Sequence, residues 1–154
     1  MIKAYRIVKT RFVSSASDGE GARLYGGRWN SKGVSMVYTA ETLSGAQLEI
    51  LVPIDSNDVL INRYSYVPIG IPKNLIHSIP LKSLPGNWDT DPPSVSTRKL
   101  GDEWCLKQVS AVLKVPNAIT RVEHNYLINP AHPDFQRIEI HPPVEFRFDR
   151  RLKK

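Results

Sequence analysis

Alternating apolar and polar residues predict β-strands near both ends of the chain. Residues 3–9 (KAYRIVK) alternate with a period of two, and residues 33–40 (GVSMVYTA) carry β-branched residues ahead of Tyr38. Residues 136–141 and 144–149 alternate in the same way on either side of a Pro-Pro pair. The pattern therefore predicts two N-terminal strands and two C-terminal strands separated by a turn.

One segment has the length of a helix. Residues 40–52 (AETLSGAQLEILV) carry an acidic residue in the first turn, Thr39 as a candidate N-cap, and Pro53 as a stop signal. Their apolar side chains lie nearly all round the helix, which predicts burial against a sheet on several sides.

The middle of the chain is less regular. Residues 55–93 are rich in proline, serine and asparagine around short apolar runs, which indicates short strands and loops, with residues 84–94 as the most flexible loop. Four further elements are predicted beyond this region: a short helix over 99–108, strands over 110–115 and 118–123, and a fixed structural turn over 125–135. The fold class is therefore α+β, sheet-dominated, with one principal helix near residues 40–52.

Length and cysteine content limit the organisation of the chain. A length of 154 residues fits a single domain over residues 1–154. The lone Cys105 cannot form an internal disulfide, and the first ten residues lack the apolar core of a secretory signal. No stretch approaches the ~18 apolar residues that cross a bilayer. These features predict a cytoplasmic protein that does not enter a membrane.

The net charge of +6 is concentrated at the C-terminal end. Residues 147–154 (RFDRRLKK) hold five of the 21 basic residues and one of the 15 acidic residues. A short basic end is typical of a solvated segment that attracts anions weakly. We therefore expect no direct nucleic-acid binding by this chain alone, although an acidic partner remains compatible with the charge.

Arg28 follows a glycine pair that could serve an anion site. Gly26 and Gly27 permit backbone conformations and close approaches that side chains forbid, so the backbone could wrap a phosphate there. The guanidinium of Arg28 would add bidentate, permanently charged hydrogen bonds. An ordinary turn beside a surface ion pair explains the same residues equally well.

Glu49 lies over small residues on the predicted helix. Its side chain leans back toward Ala46 and Gly45, which leave a hollow where a ligand could approach the carboxylate. Close packing of the helix against its neighbours is the simpler interpretation of this pattern.

The histidines do not form a metal-binding pattern. His124, His132 and His141 are separated by eight and nine residues, which matches neither helical nor hairpin ligand pairs, and Cys105 is distant in sequence. The sequence therefore predicts no metal site. The aromatic side chains of Tyr5, Trp29 and Trp104, and those of Tyr126, Leu127 and Phe135 around the predicted turn, are expected to pack in the core.

The chain resembles the RES domain of bacterial toxin-antitoxin pairs in four blocks: GGRWNSKGVSMVYTAETLSGAQLEIL, LGDEWCLKQVSAVLKVPNAI, NYLINPAHPDF and FRFDRRL. The blocks occur in the family's order and at its separations, and they span nearly the whole chain. The resemblance implies a fold similar to ADP-ribosyltransferases and a type II toxin that depletes NAD by hydrolysis or phosphorolysis of the nicotinamide-ribose bond. NAD is then a substrate, and no cofactor is implied. An Xre-type helix-turn-helix antitoxin would cover the active site, and a homodimer is left open.

The resemblance also assigns roles to residues. Arg28 and Glu49 correspond to the arginine and glutamate of the family name, and Tyr38 to an accompanying active-site tyrosine. Glu49 would stabilise the oxocarbenium-like sugar, Tyr38 would stack on nicotinamide, and Arg28 with the backbone at Gly27 would bind the diphosphate.

Asn117 is the one departure from the family pattern. Where the family typically reads Val-Pro-Ser, this chain has Val115-Pro116-Asn117. An amide lacks the hydroxyl of serine but can orient ribose or the nicotinamide amide through hydrogen bonds. Two alternatives stay open: an ADP-ribosyltransferase that modifies a protein or nucleotide, because the donor chemistry is the same, and a catalytically weakened binding module, because of Asn117 and the basic end.

Overall fold

The computed structural model describes residues 1–54 and 57–152, and within them the chain forms one mixed sheet with helices beside it. The strands are β1 (Ile2–Lys9), β2 (Val37–Ala40), β3 (Tyr64–Ile71), β4 (Ile76–Ser78), β5 (Val112–Pro116), β6 (His124–Ile128), β7 (Glu139–Ile140) and β8 (Val144–Phe146). The helices are α1 (Glu20–Tyr25), α2 (Leu43–Leu51), α3 (Asp58–Ile61) and α4 (Val95–Leu106). None of these helices is long and apolar enough to cross a membrane.

The sheet has the order β4-β5-β6-β2-β1-β3-β7, and β8 also pairs with β3. Every pairing is antiparallel except that of β4 with β5. β1 and β3 pair along eight residues, from Ile2 opposite Ile71 to Lys9 opposite Tyr64. β1 and β2, in contrast, register at the single pair Tyr5 and Ala40. The sheet therefore splits between β1 and β2 into two well-paired halves.

Alternation along the central strands divides the core between the two faces of the sheet. Val112 and Ile128 belong to one apolar cluster, whereas their neighbours Leu113 and Leu127 belong to another that includes side chains of α4. Ala40 lies in a third cluster, with Ala46 of α2. Since Tyr38 and Ala40 are two residues apart on β2, the side chains on that face meet α4 at one end and α2 at the other.

The backbone of α4 is in direct contact with the backbone of Trp29, the residue after Arg28. A Cβ atom at Gly101 would lie 1.7 Å from the carbonyl oxygen of Trp29, so no other residue fits at this point of the helix. The Ser31 amide adds a hydrogen bond of 2.8 Å to the carboxylate of Asp102. These contacts fix the segment after the glycine pair on the surface of α4.

The predicted α+β, sheet-dominated fold class is confirmed. β1, β2, β5 and the two C-terminal strands occur where the pattern predicts them, and α2 is the helix predicted near residues 40–52. The expected inward packing of Trp29, Trp104, Tyr126 and Leu127 also holds, because all four are buried, and Phe135 packs against the core. The predicted basic end is described up to residue 152; Lys153 and Lys154 lie outside the described residues.

Four details of the prediction are wrong. The N-cap of α2 is Thr42, whose hydroxyl accepts a hydrogen bond from the Gly45 amide, because the strand extends through Thr39 to Ala40. α4 begins at Val95, four residues earlier than predicted and directly after the Ser94 cap, and at 12 residues it is longer than α2. Residues 118–123 form a loop, and the next strand lies in the first part of the predicted turn, at His124–Ile128. Residues 58–61 form a short helix before β3.

Candidate active site

A cleft of about 680 Å³ is lined by residues of β2, β6 and α2 and of the loops around them. Gly27, Arg28, Tyr38 and Glu49, four of the five residues predicted for the site, line this cleft. They come from the turn after α1, from β2 and from α2, and they face a common space. The volume lies within the range of small-molecule sites.

Glu49 is an exposed carboxylate with one of its oxygens held in place. Its Oε1 accepts hydrogen bonds from Asn117 Nδ2 at 3.2 Å and from Asn125 Nδ2 at 3.0 Å. Among the described residues Oε2 has no hydrogen-bond partner. The carboxylate is therefore oriented from behind while one oxygen remains free in the cleft.

Asn117 supports the cleft from below and does not line it. It is fully buried, and its Nδ2 donates to Glu49 and to Asn125 Oδ1. Its Oδ1 accepts from the amides of Ile119 and Thr120 at 2.7 and 3.0 Å. Every hydrogen-bonding position of the amide is occupied. The hydrogen bond from Asn117 to substrate that the sequence predicted thus has no free donor or acceptor in this arrangement.

Tyr38 is fixed through its hydroxyl. The hydroxyl donates to Asn30 Oδ1 at 2.7 Å and accepts from the Trp29 amide at 2.9 Å. Burial raises the pKa of the Tyr38 phenol, although the hydrogen bond from the Trp29 amide lowers it in part. The neutral phenol donates a hydrogen bond to Asn30 and is therefore unsuited to act as a base. The ring face is the part of Tyr38 that a ligand can contact.

Gly27 has no room for a side chain, because the Tyr38 hydroxyl group lies against it. A Cβ atom at Gly27 would be 2.6 Å from the Tyr38 hydroxyl oxygen and 3.0 Å from Asn30 Oδ1. Its neighbour Gly26 has φ +74°, a left-handed conformation that glycine adopts without strain. The glycine pair is thus needed for packing and for the turn, and Gly27 in addition lines the cleft.

Arg28 holds the loop on the other side of the cleft. Its Nη1 donates to the carbonyl oxygens of Trp88 and Thr90 at 3.0 and 2.7 Å. The guanidinium has five N–H donors, and those of Nε and Nη2 have no partner among the described residues. Arg28 can therefore anchor the loop and still offer donors to an anion.

The loop over residues 84–94 contributes residues that the sequence reasoning did not assign to the site. Asp89 and Asp91 line the cleft, and the carboxylate of Asp89 pairs with Arg121 at 3.2 Å. Arg121 has φ +61°, so the residue that reaches this loop has a left-handed backbone. Nothing in the spacing of these residues indicates that they meet.

Arg6 is a second residue that the sequence reasoning missed. It lies on β1 and lines a small cavity of about 90 Å³ behind Glu49, together with Tyr38 and Asn125. Its Nη1 donates to the Tyr38 carbonyl oxygen at 3.0 Å, across the split in the sheet, while its enclosed Nε has no partner in the described part of the chain. Burial lowers the pKa of its guanidinium, an effect that Asp18 partly opposes. An arginine between Tyr5 and Ile7, in the interior of a predicted strand, was the available signal.

The described residues contain no group of three or more histidine, cysteine, aspartate or glutamate side chains that could hold a metal ion. Cys105 is buried, and burial raises the pKa of its thiol to about 11. The polar groups that line the cleft are thus carboxylate, guanidinium and amide, together with the aromatic residues Trp29 and Tyr38. This set suits a ligand that has an anionic part, hydroxyl groups and an aromatic ring.

The fold and the cleft define a class of small α+β proteins with a split, mostly antiparallel sheet. The chain is similar in fold to a chain of the crystal structure of the M. tuberculosis MbcT-MbcA toxin-antitoxin complex: the TM-score is 0.77 at 17% identity, over 94% of this chain and 84% of that one. A family model described as the RES domain matches residues 3–149. The chain belongs to the RES-domain family.

Relatives of similar length support the same assignment. The chain is 38% identical to a protein named Toxin Res from Photorhabdus laumondii, over 97% of this chain and 96% of the relative. It is 39% identical to a Toxin Res from Yersinia enterocolitica, over 97% and 98%. It is also 37% identical to a protein named Prs ADP-ribosylating toxin from a Sphingobium strain, over 96% and 94%. The chain is a homologue of RES toxins over nearly its whole length.

Proposed function

We propose that this chain is the toxin of a toxin-antitoxin pair and that it cleaves the nicotinamide-ribose bond of NAD in the cytoplasm. The observation that carries the proposal is Glu49: an exposed carboxylate, bound through one oxygen, in a cleft that also holds Arg28 and Tyr38. The names of the relatives support the toxin role, and the chemistry is argued from the side chains.

Glu49 acts on the sugar. When the bond between ribose C1′ and the nicotinamide nitrogen breaks, the electron pair leaves with nicotinamide and positive charge develops on the ribose. A nearby carboxylate stabilises that charge more in the transition state than in the bound substrate. The free Oε2 can also accept a hydrogen bond from a ribose hydroxyl, as carboxylates do in glycoside hydrolysis.

Arg28 binds the diphosphate of NAD, and Tyr38 binds the nicotinamide ring. The Nε and Nη2 donors of Arg28 serve the diphosphate, and the Nη1 hydrogen bonds to the loop fix the guanidinium in place. The face of the Tyr38 ring stacks on nicotinamide. The backbone at Gly27 lets a phosphate approach closely.

Asn117 contributes through Glu49. Its amide uses one N–H for Glu49 and its oxygen for two loop amides, so it ties the carboxylate to the loop after β5. This arrangement argues against the reading of the chain as a weakened binding module, because the amide at the serine position still orients the carboxylate. A hydroxyl at this position is not required for that contact.

A second candidate function is transfer of ADP-ribose to a macromolecule. The observation in its favour is the relative named Prs ADP-ribosylating toxin, 37% identical to this chain. The two functions share the cleavage of the donor bond and differ only in the acceptor that attacks ribose C1′. The side chains of the cleft serve both.

An Xre-type antitoxin that covers the cleft is the partner we propose. The structural neighbour was solved as a toxin-antitoxin complex, and the basic end around Arg147, Arg150 and Arg151 can attract an acidic partner. Expression of the chain alone should slow bacterial growth, and co-expression with its antitoxin should restore it. A purified complex that consumes NAD at the rate of the free chain would contradict coverage of the site.

Incubation of the purified chain with NAD labelled in the adenine tests the reaction. We expect free nicotinamide, with the label in ADP-ribose when water is the acceptor or in its phosphorylated form when phosphate is present. Label on an added cell extract's proteins or nucleotides would favour the transferase. NAD that survives prolonged incubation at high protein concentration, both with and without phosphate, would sink the proposal.

Glu49→Gln is the matched loss-of-function variant, and Glu103→Gln is its control. Glu103 is likewise an exposed helical glutamate, but it lies on α4 and is not among the residues that line the cleft. We expect nicotinamide release to be lost only with the first. Equal activity of the two variants would mean that the carboxylate in the cleft takes no part.

A further inference from the structure

Asn125 contacts the proposed catalytic carboxylate from the centre of the sheet. It lies on β6, where its backbone is opposite Ala40 on one side and Val115 on the other. The residue is 8% exposed and lines both the main cleft and the small cavity behind Glu49. A polar side chain at such a position has to be satisfied inside the protein.

The amide of Asn125 is bonded on both sides. Its Nδ2 donates to Glu49 Oε1 at 3.0 Å, and its Oδ1 accepts from Asn117 Nδ2 at 3.0 Å. Since Asn117 is itself held by two loop amides, neither amide can rotate without breaking several hydrogen bonds. The two asparagines form one rigid unit built on β6 and on the loop after β5.

Both amides donate to the same carboxylate oxygen. Asn117 and Asn125 approach Oε1 of Glu49, whereas Oε2 has no partner among the described residues. Glu49 is on the exposed side of a nine-residue helix, where a glutamate side chain would otherwise sample several rotamers. The two amides thus select one orientation and leave a defined oxygen for the substrate.

We infer that Asn125 is a positioning residue for the reaction: it fixes Glu49 through Oε1 so that Oε2 meets the ribose. The inference rests on the proposed function for the identity of the substrate. Asn125 needs no contact with NAD for this role, so its removal should lower kcat and leave NAD affinity nearly unchanged. A carboxylate misplaced by about 1 Å costs roughly a hundredfold in rate, and we expect a fall of about tenfold to a hundredfold.

Asn125→Ala is the test variant, and Asn129→Ala is its matched control. Asn129 is also a buried asparagine, 1% exposed, just beyond the end of β6, but it bonds Cys105 and Ala131 and does not line the cleft. Both variants lose buried hydrogen bonds, so both should lose stability in thermal unfolding. Only Asn125→Ala should lower kcat while the Kd for NAD, measured by calorimetry, stays within about threefold. If Asn125→Ala does not fold, Asn125→Ser takes its place, because its hydroxyl keeps a polar group at this position while the shorter side chain removes the amide donor to Glu49 without adding a charge.

A crystal structure of the variant separates this inference from the proposed function. We expect Glu49 to leave its present rotamer or to occupy several in Asn125→Ala. A Glu49 side chain that remains in place overturns the inference even if the wild type proves inactive on NAD. If the wild type cleaves NAD, an unchanged kcat, or a parallel loss of kcat and affinity like that of a destabilised protein, also overturns it.

Discussion

The two sides of the cleft are held by different kinds of contact. Glu49 is fixed by side-chain amides from the buried part of the sheet, at Asn117 and Asn125. The opposite wall, the loop over residues 84–94, is held from outside by Arg28 through two backbone carbonyls and by an ion pair between Asp89 and Arg121. The side chain of Arg121 is 65% exposed, so this pair is solvated.

This difference indicates that the Glu49 side of the cleft serves catalysis, whereas the opposite wall serves the entry and binding of the ligand. When a buried amide loses its hydrogen-bond partner, the free-energy cost of its desolvation is no longer compensated. The hydrogen-bonded arrangement around Glu49 is therefore the one stable geometry on this side of the cleft. Exposed ion pairs contribute about 0 to 1 kcal/mol, so the pair between Asp89 and Arg121 adds little resistance when the wall rearranges around a ligand. We therefore expect substitutions beside Glu49 to affect turnover and substitutions in the wall to affect binding.

The strongest test of this division is Glu49→Gln. The amide keeps the size of the side chain but cannot stabilise positive charge on the ribose, so kcat should fall by about a hundredfold to ten thousandfold. The Kd for NAD should change less than about threefold, since the glutamate acts on the transition state. Nicotinamide release and calorimetric titration measure the two quantities. A rise in Kd that accounts for the whole loss of activity would place Glu49 in binding alone.

Arg28→Ala should have the next largest effect, on binding. It removes donors for the diphosphate and at the same time frees the carbonyls of Trp88 and Thr90, so the wall loses an anchor. Hydrogen bonds to a charged group contribute about 1.5 to 3 kcal/mol, so the Kd for NAD should rise about tenfold to a hundredfold. The same titration measures it, with hydrogen exchange of residues 84–94 as a second readout.

Arg63→Ala is the control for the loss of an arginine. Arg63 forms an exposed pair with Glu145 at 2.7 Å and does not line the cleft. Its replacement should leave the Kd for NAD unchanged. If Arg28→Ala weakens binding without faster exchange in the loop, the anchoring role is wrong and the direct contact with the ligand remains.

The sequence predicts the sheet better than the site, for a physical reason. Alternation with period two reports which face of a strand is buried, and together with the β-branched residues before Tyr38 it identifies β1, β2 and the two C-terminal strands directly. Contacts between Glu49 and Asn125, 76 residues apart, depend on how the strands are ordered across the sheet, and no local pattern encodes that order. The resemblance to the RES family supplies Arg28, Tyr38 and Glu49, but the geometry behind them is visible only in the fold.

The same limit explains the misreading of residues 118–123. The sequence predicts a strand there, yet Asn117 accepts hydrogen bonds from two amides that follow it and turns the chain into a loop. Asparagine competes with regular structure in this way because its side chain bonds nearby backbone. A residue considered first for substrate contact thus proves to shape the backbone around the site.

Asn117→Ser also tests whether substitutions beside Glu49 affect turnover, and its expected effect is smaller. Serine can keep one contact, either to Glu49 or to the loop amides, while Asn125 continues to hold Glu49 Oε1. Serine loses the other Asn117 contacts and destabilises the loop, but only the hydrogen bond to Glu49 acts directly on the carboxylate. We expect kcat within tenfold of the wild type, because the loss of that one bond costs about 1 kcal/mol and each ~1.4 kcal/mol of barrier corresponds to a factor of ten. Steady-state nicotinamide release measures this. An inactive wild type beside an active Asn117→Ser variant would show that a hydroxyl is needed after all.

The smallest effect is expected for Arg121→Ala, which removes the ion pair to Asp89 and so perturbs only the wall formed by residues 84–94. The pair joins two partly solvated groups across 3.2 Å, so its loss should change the Kd for NAD by less than about threefold and leave kcat unaltered. High salt screens such a pair, so the difference between variant and wild type should shrink as salt is added. Titrations at low and high ionic strength provide the measurement. A large fall in kcat would contradict the division, because it would mean that the exposed wall also sets the geometry at Glu49.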